Sequence, residues 1–400
     1  MRLPRVALVA AVVALAAGAG PGAAPAAGPS LDAKAWLLIE ARSGDELAGR
    51  DTARQLAIAS ATKLMTAHLV LERLKLDRKL RAGRYEPSSG EVTLGLQRGE
   101  RVTVRDLLLA LMLPSANDAA VALARGVSGT VPRFVEEMNR SALALGLTDT
   151  HYSTPVGLDG PGNYSSAHDL GSLARRLLSK PQFARIVDTE RATVHVGNRP
   201  RRIVSRNNLL LRLPWINGVK TGHTAEARHV LVASARRKGV ELISVVLKAP
   251  TEHARDADAL ELLRYGFGLY RPRVAVKPGA EIVSPDVRYS GGALPLIAAH
   301  EVKVGVREGQ RVETRVRAPD EVEGPIRKGE KLGTVEVTID GRPAGAAPLV
   351  AAHGKPAATG WEKFRSKFLK PALLVPIGLL VIVVGLAAAR RRQQEHAAHE

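Results

Sequence analysis

Three short motifs in this chain carry residue types that can perform acyl transfer, and they follow one another along the sequence. They are Ser60-Ala61-Thr62-Lys63, Ser115-Ala116-Asn117 and Lys220-Thr221-Gly222. A serine hydroxyl becomes an effective nucleophile only when a neighbouring base accepts its proton. Lysine can be that base if burial or a second cation lowers its pKa, and Lys220 is the candidate cation. We therefore predict that Ser60 is a nucleophile and that Lys63 is its base.

The spacing and the surroundings of the motifs support this prediction. Three positions along a helix make almost one turn, so Ser60 and Lys63 share a helix face. The Ser-x-x-Lys pattern occurs once in the chain, whereas Ser-x-Asn occurs at both Ser115 and Ser205. Ser115 follows an apolar stretch, residues 107–113, and precedes a helical one, as a loop residue above a pocket does. We therefore place the Ser115 motif in the site, and we assign Ser205 to the approach to the Lys-Thr-Gly strand.

The elements that position these motifs can be predicted from hydrophobic periodicity. Apolar residues at helical spacing predict a helix over residues 60–74, with the nucleophile near its positive N-terminal end. A hairpin is predicted to begin at residues 35–39, and strands return from residue 191. Between them a helical middle covers residues 104–180, with predicted breaks at Pro114, Gly126, Pro132 and the loop of residues 157–162. This order predicts an α/β catalytic domain in which helices flank a sheet and the site lies between the sheet and the helical region.

The two ends of the chain predict targeting segments. Residues 1–26 contain two arginines, an apolar run and then small residues, which is typical of a secretory signal peptide. Residues 372–389 carry no charge, are long enough to cross a bilayer, and lie between Lys370 and three consecutive arginines. Because basic residues stay on the cytoplasmic side, this pattern predicts a single-pass protein of the cytoplasmic (inner) membrane with its catalytic part on the periplasmic face.

Between the catalytic part and the membrane, short β-rich runs alternate with Pro-Gly and Asp-Gly turns and predict a small all-β sandwich domain. An Ala-, Pro- and Gly-rich stretch, residues 341–359, predicts a spacer. The predicted boundaries are 1–26 for the signal peptide, 27–272 for the catalytic domain, 273–350 for the β-sandwich domain, 351–371 for a linker and juxtamembrane segment, 372–389 for a C-terminal transmembrane helix and 390–400 for a cytoplasmic tail.

Composition excludes several classes of protein. Cysteine is absent, so neither a disulfide framework nor a cysteine metal site can form. The net charge of +19 favours an anionic partner such as membrane lipid or cell-wall polymer. Aromatic residues make up only 4% of the chain and do not interleave with a basic stripe, so we expect no nucleic-acid binding. The histidines lack ligand spacing outside the C-terminal tail, so we expect no metal and no other cofactor.

The motifs and their flanking residues resemble those of the low-molecular-mass penicillin-binding proteins, the serine-type D-alanyl-D-alanine carboxypeptidases. The similarity covers roughly residues 30–350 and is carried by five stretches. They are residues 59–66, 112–120, 145–169, 218–235 and 325–341. The resemblance implies a serine β-lactamase/penicillin-binding-like catalytic domain that acts on peptidoglycan stem peptides ending in D-Ala-D-Ala. It also implies covalent acylation by β-lactam antibiotics.

The resemblance implies a role for each catalytic residue. Ser60 attacks the carbonyl of the penultimate D-Ala while Lys63 accepts its proton, and water later hydrolyses the acyl-enzyme. Ser115 relays a proton to the leaving amine, and Asn117 hydrogen-bonds both Lys63 and the substrate amide. The backbone N–H groups of Ser60 and His223 form the oxyanion hole.

A second set of residues is implied in substrate binding. Lys220 and Thr221 hold the substrate carboxylate by charge-assisted contact, with help from Arg206. Gly222 lets the peptide approach the strand closely. The chain departs from the family near Arg228, where relatives usually carry a glycine, and this departure concerns the strand edge along which the peptide lies.

Three alternatives share these residues. A β-lactamase adds a glutamate that drives deacylation, but the nearby candidates, Glu136 and Glu137, lie in a helical stretch and are predicted to face solvent. A transpeptidase, in which an amine replaces water as the acceptor, uses the same site and stays open as an alternative. A non-enzymatic wall-binding scaffold is disfavoured by the intact Ser60 and Lys63.

Overall fold

The computed structural model describes residues 29–368, 382–384, 386–388 and 390 of the 400-residue chain. The predicted signal peptide and most of the predicted transmembrane helix lie outside the described residues. The chain divides into two compact units, with the division between Pro272 and Arg273.

The first unit contains eleven described strands, eight α-helices and one 3₁₀ turn at Ala59–Thr62. Its strands are β1 (Ala35–Glu40), β2 (Glu46–Arg50), β3 (Leu56–Ala57), β4 (Lys79–Arg81), β5 (Arg101–Thr103), β6 (Tyr164–Ser165), β7 (Arg191–Val196), β8 (Arg199–Val204), β9 (Ile216–Thr224), β10 (Arg228–Arg237) and β11 (Val240–Ala249). Its helices are α1 (Lys63–Arg73), α2 (Val104–Met112), α3 (Asn117–Ser128), α4 (Val131–Ala144), α5 (Ala167–Leu178), α6 (Pro181–Val187), α7 (Asn208–Arg212) and α8 (Glu252–Gly268).

The centre of this unit is a five-stranded antiparallel sheet in the order β2-β1-β11-β10-β9. Side chains alternate between the two faces of a strand. Leu37 and Ile39 of β1 therefore join one apolar core with the helices α1 to α5, while Trp36 and Leu38 join a second core with α8. Both faces of the sheet are covered, as the sequence predicts. Strand β9, which carries the Lys-Thr-Gly motif, lies at one edge of the sheet.

Two local predictions differ from the structure. The predicted helix over residues 60–74 begins only at Lys63, because residues 59–62 form the 3₁₀ turn that carries Ser60. The predicted break at Gly126 is wrong: α3 continues through it and ends at Ser128, and the left-handed Gly129 follows. A lone glycine inside a helix weakens it only modestly, which the surrounding apolar packing of α3 overcomes.

The second unit is built from β-strands around one apolar core. Its described strands are β12 (Arg271–Val276), whose first two residues precede the division, β13 (Glu281–Val283), β14 (Asp286–Val287), β15 (Leu296–Ala298), β16 (Val302–Val306), β17 (Val312–Arg317), β18 (Glu321–Val322), β19 (Lys331–Ile339) and β20 (Arg342–Ala351), and a helix, α9 (Gly360–Phe368), follows. Five strands form a sheet in the order β13-β15-β20-β19-β17, and β12 pairs with β16. Val304, Val337 and Leu349 are among the fully buried residues of its core.

The predicted spacer over residues 341–359 is therefore wrong in its first half. Arg342 to Ala351 form β20, which pairs with both β19 and β15, and its residues from Ala347 to Ala351 alternate between buried and half-buried positions. Composition alone does not reveal this pairing. Among the residues described here, no helix combines the length and the apolar character needed to cross a membrane.

Candidate active site

The nucleophile turn is held between a loop and a strand by two glycines. Ser60 lies in the 3₁₀ turn, after Ala59, whose φ of 47° is unusual for a residue with a side chain. A Cβ on Gly157 would lie 2.0 Å from the carbonyl oxygen of Ala59, and a Cβ on Gly222 would lie 3.1 Å from the backbone nitrogen of Ser60. At Gly157 only glycine permits this approach, whereas at Gly222 a side chain would require the turn to shift by a few tenths of an ångström, so both positions constrain the backbone of the turn.

Lys63 is placed to act on Ser60. Its Nζ lies 2.9 Å from Ser60 Oγ and donates a hydrogen bond of 2.7 Å to the carbonyl oxygen of Val156. The side chain is 0% exposed. Burial lowers the pKa of Lys63 to about 7, while the carboxylate of Glu91 acts to raise it and the Arg206 guanidinium acts to lower it. The cation that lowers the Lys63 pKa is thus Arg206 and not Lys220, the candidate that the sequence suggests. Near neutral pH a substantial fraction of Lys63 is therefore an uncharged amine, the form that can accept the Ser60 proton.

The second motif lies where α2 gives way to α3. Ser115 has a φ of 73°, and its buried Oγ has no hydrogen-bond partner among the residues that the structure describes. Asn117 is the first residue of α3, and its Nδ2 donates a bond of 2.7 Å to Oε2 of Glu91. Within the described chain no hydrogen bond joins Asn117 to Lys63, so the bond that we expected between them is replaced here by the bond to Glu91.

The third motif supplies buried positive charge. Lys220 is 1% exposed, and its Nζ donates a bond of 2.9 Å to the carbonyl oxygen of Thr221. Burial holds the pKa of Lys220 well below its usual value, and the neighbouring charges of Lys63, Arg206 and Arg255 lower it further. A bound anion would relieve this mutual repulsion. The part of β9 around Lys220 therefore suits a substrate carboxylate.

The remaining predicted site residues lie around this strand. Arg206 follows β8, and its backbone N–H bonds the carbonyl oxygen of Leu113 at 3.1 Å, close in sequence to Ser115. His223 is exposed on β9, and the centroid of its ring lies 4.3 Å from that of His229 on β10. Thr221 and Gly222 are buried on the same strand.

The unusual Arg228 begins β10 opposite Thr224. Its φ of 54° lies in the left-handed region, which glycine adopts without strain. The glycine that relatives usually carry near this position fits that backbone, and this chain keeps the conformation with an exposed arginine side chain. The pairing of β10 with the edge strand β9 is therefore retained, although this chain has an arginine at this position.

Two residues of the site were not predicted from the sequence. Glu91 lies in a loop before α2 and contacts Asn117, and Arg255 is a 3% exposed guanidinium in the first turn of α8 whose charge acts on Lys220. Neither belongs to a recognisable motif. The only indication of Arg255 in the sequence is that a charged residue occupies a position of the predicted helix that its spacing assigns to the apolar face. The glutamates considered for a β-lactamase lie elsewhere on α4: Glu136 is exposed and Glu137 pairs with Arg73 at 3.9 Å.

Comparison with known sequences agrees with this geometry. The sequence model of the D-alanyl-D-alanine carboxypeptidase family matches residues 23–251, and that of the penicillin-binding protein 5 C-terminal domain matches residues 270–354. The D-alanyl-D-alanine carboxypeptidase DacF of Bacillus subtilis is 31% identical over 330 residues, which cover 80% of this chain and 85% of DacF. DacC of Escherichia coli, also a D-alanyl-D-alanine carboxypeptidase, is 33% identical over 343 residues, 80% of this chain and 84% of DacC.

Solved structures give the same grouping. Penicillin-binding protein 5 of Haemophilus influenzae is 30% identical, with a TM-score of 0.58 over 83% of this chain and 99% of that protein. The Streptomyces K15 DD-transpeptidase is 32% identical, with a TM-score of 0.58 over 61% of this chain and 100% of its own. The catalytic fold and the following β domain are thus those of this group. The chain belongs to the D-alanyl-D-alanine carboxypeptidase family and is a serine-type hydrolase of that family.

Proposed function

We propose that this protein removes the terminal D-Ala from peptidoglycan stem peptides through an acyl-enzyme on Ser60. The observation that carries the proposal is the fully buried Lys63, whose Nζ lies 2.9 Å from Ser60 Oγ and whose pKa is about 7. A lysine in this state can accept the hydroxyl proton at neutral pH, which an ordinary surface lysine cannot.

The reaction proceeds in two steps. Ser60 Oγ attacks the carbonyl carbon of the penultimate D-Ala, and the Oγ proton passes to Lys63 Nζ. The peptide C–N bond then breaks, and the leaving amine of the terminal D-Ala receives a proton through Ser115, whose buried Oγ has no other partner among the described residues. Water attacks the resulting ester, releases the shortened peptide and restores Ser60. The backbone N–H groups of Ser60 and His223 stabilise the negative charge on the carbonyl oxygen in both steps.

The terminal carboxylate gives the substrate its second point of attachment. Lys220 and Arg206 provide positive charge, and Thr221 provides a hydroxyl donor on the same strand. The lowered pKa of Lys220, to which the charges of Lys63 and Arg206 contribute, supports this role, because a carboxylate placed beside Lys220 stabilises its charged form. Gly222 leaves the strand edge open to the peptide backbone. β-Lactams, which carry a carboxylate and a reactive amide, acylate the same serine.

The test uses the purified protein and its Ser60→Ala variant, each incubated with a peptide ending in Lys-D-Ala-D-Ala and, separately, with a fluorescent penicillin. We expect free D-Ala and a stable fluorescent label with the wild type and neither with Ser60→Ala. Fluorescent label that disappears quickly without D-Ala release would instead identify a β-lactamase. A wild type that neither takes label nor releases D-Ala would leave only a scaffold role.

Transfer to an amine is the second candidate function, because the Streptomyces K15 DD-transpeptidase is similar over 61% of this chain. The two activities share the acylation step and differ only in the acceptor that attacks the ester. Adding glycylglycine to the peptide assay separates them. A new peptide bond to glycylglycine, seen by mass spectrometry at the expense of the hydrolysed product, would favour transfer, and unchanged hydrolysis favours the carboxypeptidase.

The same proposal includes a location. Residues 1–26 act as a signal peptide, and residues 372–389 anchor the enzyme in the membrane as a single pass, with the active site in the periplasm and residues 390–400 in the cytoplasm. Its support is the uncharged apolar run between Lys370 and three arginines. Expressed in a bacterial host, the full chain is expected in the membrane fraction after an alkaline carbonate wash, whereas a chain ending at Thr359 is expected in the soluble periplasmic fraction. If the full chain and the chain ending at Thr359 were found in the same fraction, the proposed membrane anchor would be contradicted.

A further inference from the structure

We propose that Glu91 is a positioning residue for the reaction: its carboxylate fixes the amide of Asn117 in one orientation and places a negative charge beside Lys63. The inference rests on the proposed function of Ser60 and adds to it a residue outside the three motifs. Glu91 itself contacts none of the reacting atoms. It acts through Asn117 and through the charge of Lys63.

Three hydrogen bonds define the position of the carboxylate. Asn117 Nδ2 donates to Oε2 of Glu91 at 2.7 Å, the hydroxyl of Tyr85 donates to the same oxygen, and the backbone N–H of Ser88 donates to Oε1 at 3.0 Å. Burial acts to raise the pKa of Glu91, but these hydrogen bonds together hold it below its usual value. The carboxylate is therefore ionised at neutral pH.

The loop that carries Glu91 is itself tied to α3, the helix that carries Asn117. The backbone N–H of Asn117 bonds the carbonyl oxygen of Val92 at 2.8 Å. The carboxylate of Asp118 accepts the backbone N–H groups of Leu94 at 2.8 Å and Leu96 at 2.9 Å. These bonds keep the distance between Glu91 and Asn117 fixed.

An ionised carboxylate can only accept hydrogen bonds, so Asn117 must present its NH₂ group to Glu91. The carbonyl oxygen Oδ1 of the same amide then points to the other side, where it can accept from the substrate N–H. A neutral partner such as glutamine can either donate or accept, and it allows the amide to turn over. The negative charge of Glu91 is thus what selects the orientation.

The same charge adjusts the base. The charged groups that act on Lys63 are Glu91, which raises its pKa, and Arg206, which lowers it; Lys63 in turn lowers the pKa of Lys220. Glu91 is the only carboxylate among these groups in the described chain. Without Glu91, the lowering of the Lys63 pKa by burial and by Arg206 is no longer opposed, so Lys63 releases its proton at a lower pH.

The experiment measures the rate of acylation by a fluorescent penicillin between pH 5 and pH 9. Wild type, Glu91→Gln and Glu91→Asp are compared, with Glu86→Gln as the matched control, because Glu86 lies in the same loop but is exposed and pairs with Arg84. We expect the wild-type rate to rise with pH through about 7 as Lys63 loses its proton. In Glu91→Gln the rise should move down by at least ~0.5 pH unit, and the plateau rate should fall about tenfold.

The remaining variants separate charge from orientation. Glu91→Asp keeps the charge on a shorter side chain, so it should lower the plateau rate while its pH profile stays close to the wild type. In an Asn117→Ala background the further change Glu91→Gln should leave the plateau unchanged, because Glu91 acts on it through Asn117. Glu86→Gln should match the wild type in both respects.

The outcomes distinguish this inference from the function on which it rests. If the wild type is acylated at Ser60 and Glu91→Gln has the same pH profile and plateau, the inference is wrong and the proposed function stands. If circular dichroism shows that Glu91→Gln does not fold, the Glu91→Asp variant decides instead. A plateau acylation rate of Glu91→Asp equal to that of the wild type would overturn the inference. If the wild type itself takes no label, the proposed function is wrong.

Discussion

Replacing Lys63 by methionine is expected to slow acylation of Ser60 by ~10²–10⁴-fold, the usual contribution of a positioned general base. Methionine has a similar length and no proton acceptor of comparable basicity. It removes the desolvation cost of a buried amine but also removes the donor to the carbonyl oxygen of Val156, so these contributions offset each other and the melting temperature should change little. The acylation rate with a fluorescent penicillin and the thermal melt followed by circular dichroism measure the two effects.

The matched control is Lys79→Met. Lys79 is exposed in β4 of the same unit, and its replacement should leave both the acylation rate and the melt unchanged. An acylation rate for Lys63→Met within a few-fold of the wild type would contradict Lys63 as the base and would require another group to accept the Ser60 proton.

Replacing Gly157 by alanine is expected to lower both stability and acylation. Gly157 has a φ of 84°, and the added Cβ would lie 2.0 Å from Ala59 O and 2.7 Å from Thr62 Oγ1. Backbone strain and overpacking together should cost about 2–4 kcal/mol of the free energy of unfolding. Relief of the clash must move the turn that carries Ser60, so the acylation rate should fall by at least ~10-fold even where the variant is folded.

The same loop provides the control. A Cβ on Gly160 meets nothing within 4 Å, so Gly160→Ala should behave as the wild type in denaturant unfolding and in acylation. An equal loss of stability in Gly157→Ala and Gly160→Ala would contradict this explanation, because it would show that alanine destabilises the loop even where its Cβ does not contact Ala59. Wild-type acylation by a folded Gly157→Ala would show that the turn does not depend on this glycine.

The parts of the site that the sequence predicts are those set by local geometry. Ser60 and Lys63 meet although Ser60 lies in a 3₁₀ turn rather than in the predicted α-helix. Side chains at positions i and i+3 lie over one another in a 3₁₀ turn and share a face in an α-helix, so either conformation brings them together. Residues 35–39 of β1 are all apolar, and because side chains of a strand alternate between its two faces, this run suits a strand that is buried on both faces.

The parts that the sequence does not predict depend on contacts between distant segments. Glu91 meets Asn117 from a loop 26 residues earlier, and no local pattern marks that partner. The contact of Gly222 with the Ser60 turn joins residues more than 150 positions apart in sequence and becomes visible only when β9 takes its place at the sheet edge. The sequence identified Gly222 as a position of close approach, but by a peptide substrate; in the structure the nucleophile turn lies against it as well.

The most direct test of the account is to find the atom that a β-lactam modifies. The purified protein is incubated with benzylpenicillin at pH 8, and intact mass spectrometry followed by peptide mapping locates the adduct. We expect one penicilloyl group per chain, on the peptide that contains Ser60, and none in Ser60→Ala. An unmodified wild type, or an adduct on a different residue that persists in Ser60→Ala, would contradict Ser60 as the nucleophile.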